Sequence, residues 1–282
     1  MSLSKASFEF VRTLLRERSA HALEDDKVYL VETRLLSVAK RHGFQSVEDL
    51  VHHLRGRKKE ALLVEIVEAM TINETSFFRD EDVFKALQHS VLPELVQRRS
   101  HVRCLNIWSA SCSSGQEPYS IAMIVRRDFP ALAGWNIRLL ASDLSKTILT
   151  RARRGVFSEL EVSRGLPADL RASYFAKHEN GWQIQDALCR MVEFRQINLN
   201  GAWPEFPPLD LVLMRNVLIY FDTPTKQQIL DKVCRVIQPD GYLVLGGAES
   251  TLHLDDRFFP VSFGNASFFQ LRSSLPSMNG WK

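Results

Sequence analysis

Residues 106–120 read NIWSASCSSGQEPYS. An apolar strand runs out into small residues, and Glu117-Pro118 then opens a helix. A strand that empties into such a turn and a helix is how α/β proteins build nucleotide pockets at the carboxyl edge of a parallel sheet. The loop holds one glycine, Gly115, where a dinucleotide fingerprint needs three. Ser109, Ala110, Ser111, Cys112, Ser113 and Ser114 are all small, so a ligand can approach the backbone closely. Glu117 falls at the helix start, where its carboxylate suits a positive ligand and repels a pyrophosphate. The plainer alternative is a carboxylate that complements the helix dipole; on Glu117 alone the two readings stand level.

Outward from this loop the pattern alternates. A helix over Val83–Arg98, broken at Pro93, leads to a strand at Cys104–Trp108. A helix over Pro118–Phe129, a strand at Ile137–Ser142 and a helix over Ser145–Arg154 follow. Strands alternating with helices predict a doubly wound parallel sheet, an α/β Rossmann-like architecture. Between Phe157 and Ile197 the alternation lapses. YFAKHENGWQIQDALCRMVEFRQINL reads as short antiparallel strands turning at Glu179-Asn180-Gly181, a small β-subdomain inserted at about 160–197. The main pattern resumes at Leu209–Met214. Thr223 and Pro224 then start a helix as N-cap and first residue, Pro239-Asp240-Gly241 turns into a strand at Tyr242–Leu245, and Phe268–Leu271 is the last strand. The tail SSLPSMNGWK has little to pack with.

Before residue 72 the period is helical throughout. Phe8, Val11, Leu14 and Leu15 share one face, as do Val28, Val31, Leu35 and Val38, and Lys58–Met70 repeats the pattern. Ser46–Asp49, SVED, is a capping box before Leu50 and Val51. The expected division is a small all-helical domain over 1–72 and an α/β domain over 73–282, joined by TINETSFFRD as a linker or structured loop.

Composition narrows the function. The 282 residues are 45% hydrophobic and 24% charged, ordinary for a soluble globular chain, and the formal net charge of +3 is too small to argue for nucleic acid. Four cysteines form no CxxC pair, MSLSKASFEFVRTLLRER has no apolar signal core, and His52-His53 has no cysteine nearby. A cytoplasmic, monomeric protein with reduced thiols and no metal is expected.

Asp143 ends the second strand in LLASDLS, the position where doubly wound sheets grip ribose hydroxyls; its alternative is an N-cap for the helix near Ser145. Taken together, Glu117 and Asp143 fit S-adenosylmethionine, a nucleoside carrying an ammonium and a sulfonium but no phosphate. A nicotinamide-dependent dehydrogenase is disfavoured by the missing glycines, and a nucleic-acid methyltransferase by the absence of a basic stripe with interleaved aromatics.

NETSFFRD, SASCSSGQEPYSIAM, ASDLS, INL, RNVLIYFD and a PDGYLVLGGAES hairpin, in this order, resemble the CheR family of chemotaxis receptor methyltransferases. The resemblance implies S-adenosylmethionine as methyl donor, with S-adenosylhomocysteine as product, and glutamate carboxylates of bacterial chemoreceptors as acceptors. It implies cofactor contacts at Asn73, Thr75, Arg79, Glu117, Asp143, Asn198, Leu199, Asn216 and Val217, and places Arg79 and Tyr220 at the transferred methyl. Gln116 stands where many relatives carry Glu. Each position keeps a plainer reading: turn caps at Asn73 and Thr75, core packing at Phe77 and Phe78, an Arg79–Asp80 surface pair, a buried strand aromatic at Tyr220. Arg215 stays unassigned. The implied partner is the cytoplasmic helical bundle of a chemoreceptor, met by basic residues such as Arg34, Lys40, Arg41, Arg55, Arg57, Lys58 and Lys59, or these form a solvated face. YFAKHENGWQIQ is shorter at its first turn than in relatives that grip a receptor's C-terminal pentapeptide tether, so no strong tether binding is expected.

Overall fold

The computed structural model describes residues 3–56 and 59–272. Arg57 and Lys58 of the basic cluster, and the tail from Ser273, lie outside the described residues. The chain opens with four helices: α1 (Lys5–Ser19), α2 (Val28–Arg41), α3 (Val47–Gly56) and α4 (Glu60–Met70). Their apolar stripes meet in one core, built on Val11, Leu15, Val31, Leu35, Leu50, Leu54 and Ile66. Ser46 caps α3 by accepting from the Asp49 amide at 3.1 Å. The box closes side chain to side chain, because the Ser46 hydroxyl donates to the Asp49 carboxylate at 2.7 Å.

TINETSFFRD is a structured loop. Phe77 is fully buried and meets the rings of Phe157 and Phe175 edge-on at 5.0 and 5.6 Å. The Ser113 hydroxyl donates to the Asn73 carbonyl at 2.8 Å, and the Phe78 amide donates to the Ser120 hydroxyl at 3.0 Å. The next helical rod runs through α5 (Glu81–Ala86), a π-helical stretch at Leu87–Val91, and α6 (Leu92–Arg98). The expected break at Pro93 is absent. A widened turn precedes the proline, which has no N–H to give, and the rod continues.

The α/β part continues with β1 (Cys104–Ala110), α7 (Gln116–Asp128), β2 (Asn136–Asp143) and α8 (Lys146–Arg154). Helix α7 begins two residues before Pro118, which therefore sits in the first turn, where no amide has an intrahelical partner to lose. A small antiparallel sheet follows: β3 (Val156–Phe157), α9 (Glu159–Ser163), α10 (Ala168–Tyr174), β4 (Phe175–His178), β5 (Gly181–Ile184) and α11 (Asp186–Cys189). Its strand order is β3-β5-β4. Gly181 is obligatory there: its φ is +133° and a Cβ would fall 2.2 Å from the Phe157 carbonyl oxygen.

The chain ends with β6 (Val192–Gln196), β7 (Leu209–Met214), α12 (Thr223–Val236), β8 (Ile237–Leu245), β9 (Phe258–Phe263) and β10 (Ala266–Leu271). The seven-stranded sheet has the order β6-β2-β1-β7-β8-β10-β9, parallel except where β10 pairs with β8 and β9. This is the doubly wound architecture expected. Alternate residues of the central strands bury on opposite faces: Ile107, Leu211 and Leu213 against α7 and its neighbours, Trp108, Val212 and Met214 against α12.

Three local expectations are corrected. MVEFRQ does not belong to the small sheet: Val192–Gln196 pairs in parallel with β2, Phe194 opposite Ala141. As an edge strand covered on one side it alternates buried Val192 and Phe194 with exposed Glu193 and Arg195, the same signature that an antiparallel strand gives. PDGYLVLGGAES is one strand entering a loop, with the register slipping between the Leu209–Ile237 and Leu211–Tyr242 pairs, and its antiparallel neighbour is β10. Asp222, one residue before Thr223, caps α12 by accepting from the Thr225 amide at 3.0 Å. Among the described residues no helix is long and apolar enough to cross a membrane.

Candidate functional site

The chain leaves β1 towards β2 and β6 on one side and later returns to β7 and β8 on the other, so the carboxyl ends of β1 and β7 flank a topological switch point. A cleft opens there. Ser111 lines it from the end of β1, Asp143 and Leu144 from β2, Ile197, Asn198 and Leu199 from beyond β6, and Val217 and Tyr220 from beyond β7. Asn73 and Ile72 enter from the loop after α4, and Ser19 and His21 from the end of α1.

Among the described residues Asp143 is the one carboxylate in the lining, and it is buried. Its oxygens accept from the Ser113 amide at 2.9 Å and the Ser145 amide at 3.0 Å. Burial pushes its carboxyl above the ordinary aspartate range, against the backbone donors that favour the ion. Ser145, not Asp143, caps α8, accepting from the Ile148 amide at 3.2 Å, so the capping alternative falls away. Each Asp143 oxygen keeps a lone pair for a donor in the cleft.

The segment after β7 is held by an acid that the sequence reading passed over. Glu249 Oε2 accepts from the Asn216 amide and the Gly246 amide, both at 2.7 Å. Its Oε1 accepts from the Val217 amide at 2.9 Å and the Ile219 amide at 3.2 Å. This clamp holds Asn216 at a φ of +58°, in the left-handed region that asparagine tolerates. A Cβ at Gly246 would lie 2.7 Å from the Asn216 amide nitrogen of its side chain, so LGGAES needs its first glycine. The clamped segment delivers Tyr220, whose hydroxyl burial pushes upward in pKa.

Glu117 lies behind the cleft wall. Its carboxylate accepts from the Ser109 hydroxyl at 2.8 Å and from Arg215 Nη1 at 2.9 Å. Arg215, its side chain only 2% exposed, also donates to Asp80 at 2.5 Å and to the Arg79 carbonyl at 2.7 Å. The expected Arg79–Asp80 pair is therefore replaced: Asp80 pairs with Arg215, and Arg79 donates to the Glu74 carbonyl at 3.0 Å.

Of the candidates, Asn73, Asp143, Asn198, Leu199, Val217 and Tyr220 line the cleft together. Thr75, Arg79, Glu117 and Asn216 are outside its lining, with Asn216 at the base of the Tyr220 segment and Arg79 on the neighbouring loop. Ser19, His21, Arg215 and Glu249 carry site geometry that the sequence reading left unassigned. Of these only Glu249, an acid directly after a strand and paired glycines, had a local signal.

The lining fits an adenosine group that carries positive charge and no phosphate. Ile197, Leu199 and Val217 offer apolar walls, Asp143 and Asn198 offer acceptors, and among the described residues neither lysine nor arginine lines the cleft. A pyrophosphate would find no counter-charge in this lining.

Comparison with known proteins identifies the family. The family model described as CheR methyltransferase, SAM binding domain, matches residues 73–266, and that described as CheR methyltransferase, all-alpha domain, matches residues 6–71. The chain is 35% identical to Chemotaxis protein methyltransferase Cher2 of Pseudomonas putida, over 96% of this chain and 100% of that protein. It is 37% identical to Chemotaxis protein methyltransferase 1 of Pseudomonas aeruginosa, over 92% and 95%. It is 33% identical to Chemotaxis protein methyltransferase of Vibrio parahaemolyticus, over 96% and 99%.

Proposed function

This chain belongs to the CheR methyltransferase family, and on that footing we propose that it transfers a methyl group from S-adenosylmethionine to glutamate carboxylates of bacterial chemoreceptors, giving glutamyl methyl esters. The observation that carries the cofactor half is the cleft at the switch point, lined among the described residues by one carboxylate and no lysine or arginine. The acceptor half is supported by the family membership and by the chemotaxis names of its relatives. We read the first 72 residues as one domain and the rest as the catalytic domain, working in the cytoplasm as a monomer without a metal.

When bound, S-adenosylmethionine supplies a methyl group activated on a sulfonium. Asp143 takes a ribose hydroxyl, Asn198 and Leu199 border the adenine, and Asn73, Thr75, Asn216 and Val217 frame the amino-acid part. Glu117 acts at a distance, as a carboxylate already paired with Arg215. A glutamate acceptor is ionised near neutral pH, so no general base is needed, in keeping with a set of roles that assigns none. Arg79 orients the incoming carboxylate and Tyr220 holds the reacting groups in line, so the chain contributes chiefly positioning and exclusion of water. Lys40, Arg55 and Lys59, exposed on the helical part, meet acidic receptor segments. Arg34 is committed to the Met70 carbonyl and Arg41 to Glu65.

Radiolabelled methyl transfer to a panel of receptors, followed by mild alkali, tests the reading. Label released as methanol is the expected result, since an ester is base-labile; alkali-stable label would exclude a carboxylate acceptor. A thermal-shift comparison with S-adenosylmethionine, S-adenosylhomocysteine and NAD tests the cofactor separately, with stabilisation expected from the first two only.

A further inference from the structure

His21 sits in the short crossing between α1 and α2, yet it lines the cleft. Three contacts fix it there. Its ring stacks on Phe221 at 5.7 Å and 4°, and meets Tyr220 edge-on at 5.6 Å and 85°. Its backbone bridges to Phe221, and the next amide, that of Ala22, donates to the Tyr220 carbonyl at 2.9 Å. One turn earlier the Arg18 carbonyl accepts from the Asn198 side-chain amide at 2.7 Å. The end of α1 is thus tied to two of the candidate site residues, Asn198 and Tyr220.

The hydrogen-bond network also assigns the protons on this ring. The Ser19 hydroxyl donates to the Leu15 carbonyl at 2.9 Å, which uses its single hydrogen. Ser19 Oγ also lies 3.1 Å from His21 Nδ1; with the hydroxyl directed at the Leu15 carbonyl, Nδ1 is assigned as the donor in that contact. Nε2 is then a bare acceptor, and it has no hydrogen-bond partner among the described residues. Burial and the nearby Arg34 charge lower the ring's pKa to about 4, which keeps that lone pair free at neutral pH.

We propose that His21 Nε2 is a cofactor-recognition site contributed by the helical part of the chain, accepting a hydrogen bond from a donor on the adenosine moiety, either the exocyclic amine or a ribose hydroxyl. This rests on the reading of the cleft as the S-adenosylmethionine site. The acceptor complements Asp143 across the same cleft, and the ring's stacking on Phe221 fixes its direction before anything binds, so little ordering entropy opposes the contact.

The test is calorimetric titration of the full chain with S-adenosylhomocysteine and with its 2′-deoxy, 3′-deoxy and N6,N6-dimethyl analogues, using wild type, His21→Phe and Asp143→Ala. Phenylalanine keeps the ring stack and deletes the acceptor. The expected result is a loss of about three- to tenfold in affinity for His21→Phe. One analogue should lose a similar factor in wild type and lose nothing further in the variant, which identifies the donor by coupling. Wild-type affinity in His21→Phe, with binding lost in Asp143→Ala, would overturn the role of His21 and leave the cofactor site standing. Absence of S-adenosylhomocysteine binding by wild type would instead overturn the cofactor reading, and this inference with it. Should His21→Phe not fold, His21→Leu takes its place in the same coupling test: an unchanged affinity for S-adenosylhomocysteine in that variant would exclude the contact.

Discussion

Arg215 Nη1 donates to Glu117 Oε2 at 2.9 Å, between side chains that are 2% and 13% exposed. The acid at the start of α7 is therefore neutralised from within the protein. Removing one partner of a buried pair leaves the other charge without compensation and costs about 3–5 kcal/mol. Arg215→Met is expected to fall in stability by an amount of that order in urea denaturation. Arg215→Met/Glu117→Gln should recover part of the loss, because the stranded charge is gone. No recovery in the double variant would mean that Asp80 and the Arg79 carbonyl, rather than Glu117, carry the coupling.

For the proposed reaction, Arg79→Ala and Tyr220→Phe are expected to lower turnover by more than tenfold while S-adenosylmethionine affinity stays within a few-fold. Neither hydroxyl nor guanidinium holds the cleft together: among the described residues the Arg79 guanidinium bonds only to its own loop, at the Glu74 carbonyl. Calorimetry beside methyl-transfer rates separates the two effects. Lost affinity with an unchanged rate in the bound state would remove the assigned roles.

Asp143→Ala should show the reverse, with cofactor affinity weakened by at least about tenfold, since hydrogen bonds to a charged group are worth about 1.5–3 kcal/mol. Asp143→Asn should not rescue it. An asparagine has one acceptor oxygen, and the Ser113 and Ser145 amides already demand two, so its NH2 group would be turned towards a donor. Isothermal titration of both variants checks this.

Glu249→Gln is expected to be nearly as damaging as Glu249→Ala. Each carboxylate oxygen serves two amides, so whichever end becomes NH2 leaves two donors orphaned at about 1–3 kcal/mol each before the segment relaxes. Since the clamped segment delivers Tyr220, kcat should fall further than KM rises. An intact kcat in Glu249→Gln would show that the segment keeps its course without the clamp.

His21 predicts a specific acid sensitivity. Its folded pKa is about 4 against 6.5 for the free ring, so between these values the unfolded chain takes up a proton that the fold refuses. Stability is complete above pH 6.5 and is lost as pH falls towards 4, by up to about 3 kcal/mol for this one group. In thermal denaturation from pH 7 to 4, His21→Gln should therefore lose less stability than wild type. Parallel losses would place the acid sensitivity on other groups.

The doubly wound sheet was legible because β1, β2, β7 and β8 are long apolar runs separated by helical periods, and those patterns survive any tertiary context. Asp143 was legible because it ends such a strand, whereas Asn198 and Tyr220 entered only through the family resemblance. Val192–Gln196 was misread because alternation marks a half-covered strand without fixing the direction of its neighbour. Phe258–Phe263, broken by Pro260, carried no alternation strong enough to read as an edge strand. His21 was invisible for a different reason: nothing local distinguishes a histidine in an inter-helix crossing, and its meaning arises only from Phe221, two hundred residues later. The same holds for Arg215, whose partners Asp80 and Glu117 come from separate segments.

On the cofactor reading proposed above, the crossing at residues 19–22 joins the amino-terminal helices to the donor site. An excised fragment beginning at residue 73 would keep all seven strands yet strip the aromatic cover from Phe221, release the Asn198 side chain from the Arg18 carbonyl and uncap one wall of the donor cavity. On that reading, a minimal enzyme trimmed at the domain boundary would need a surrogate for this wall to keep its grip on the methyl donor.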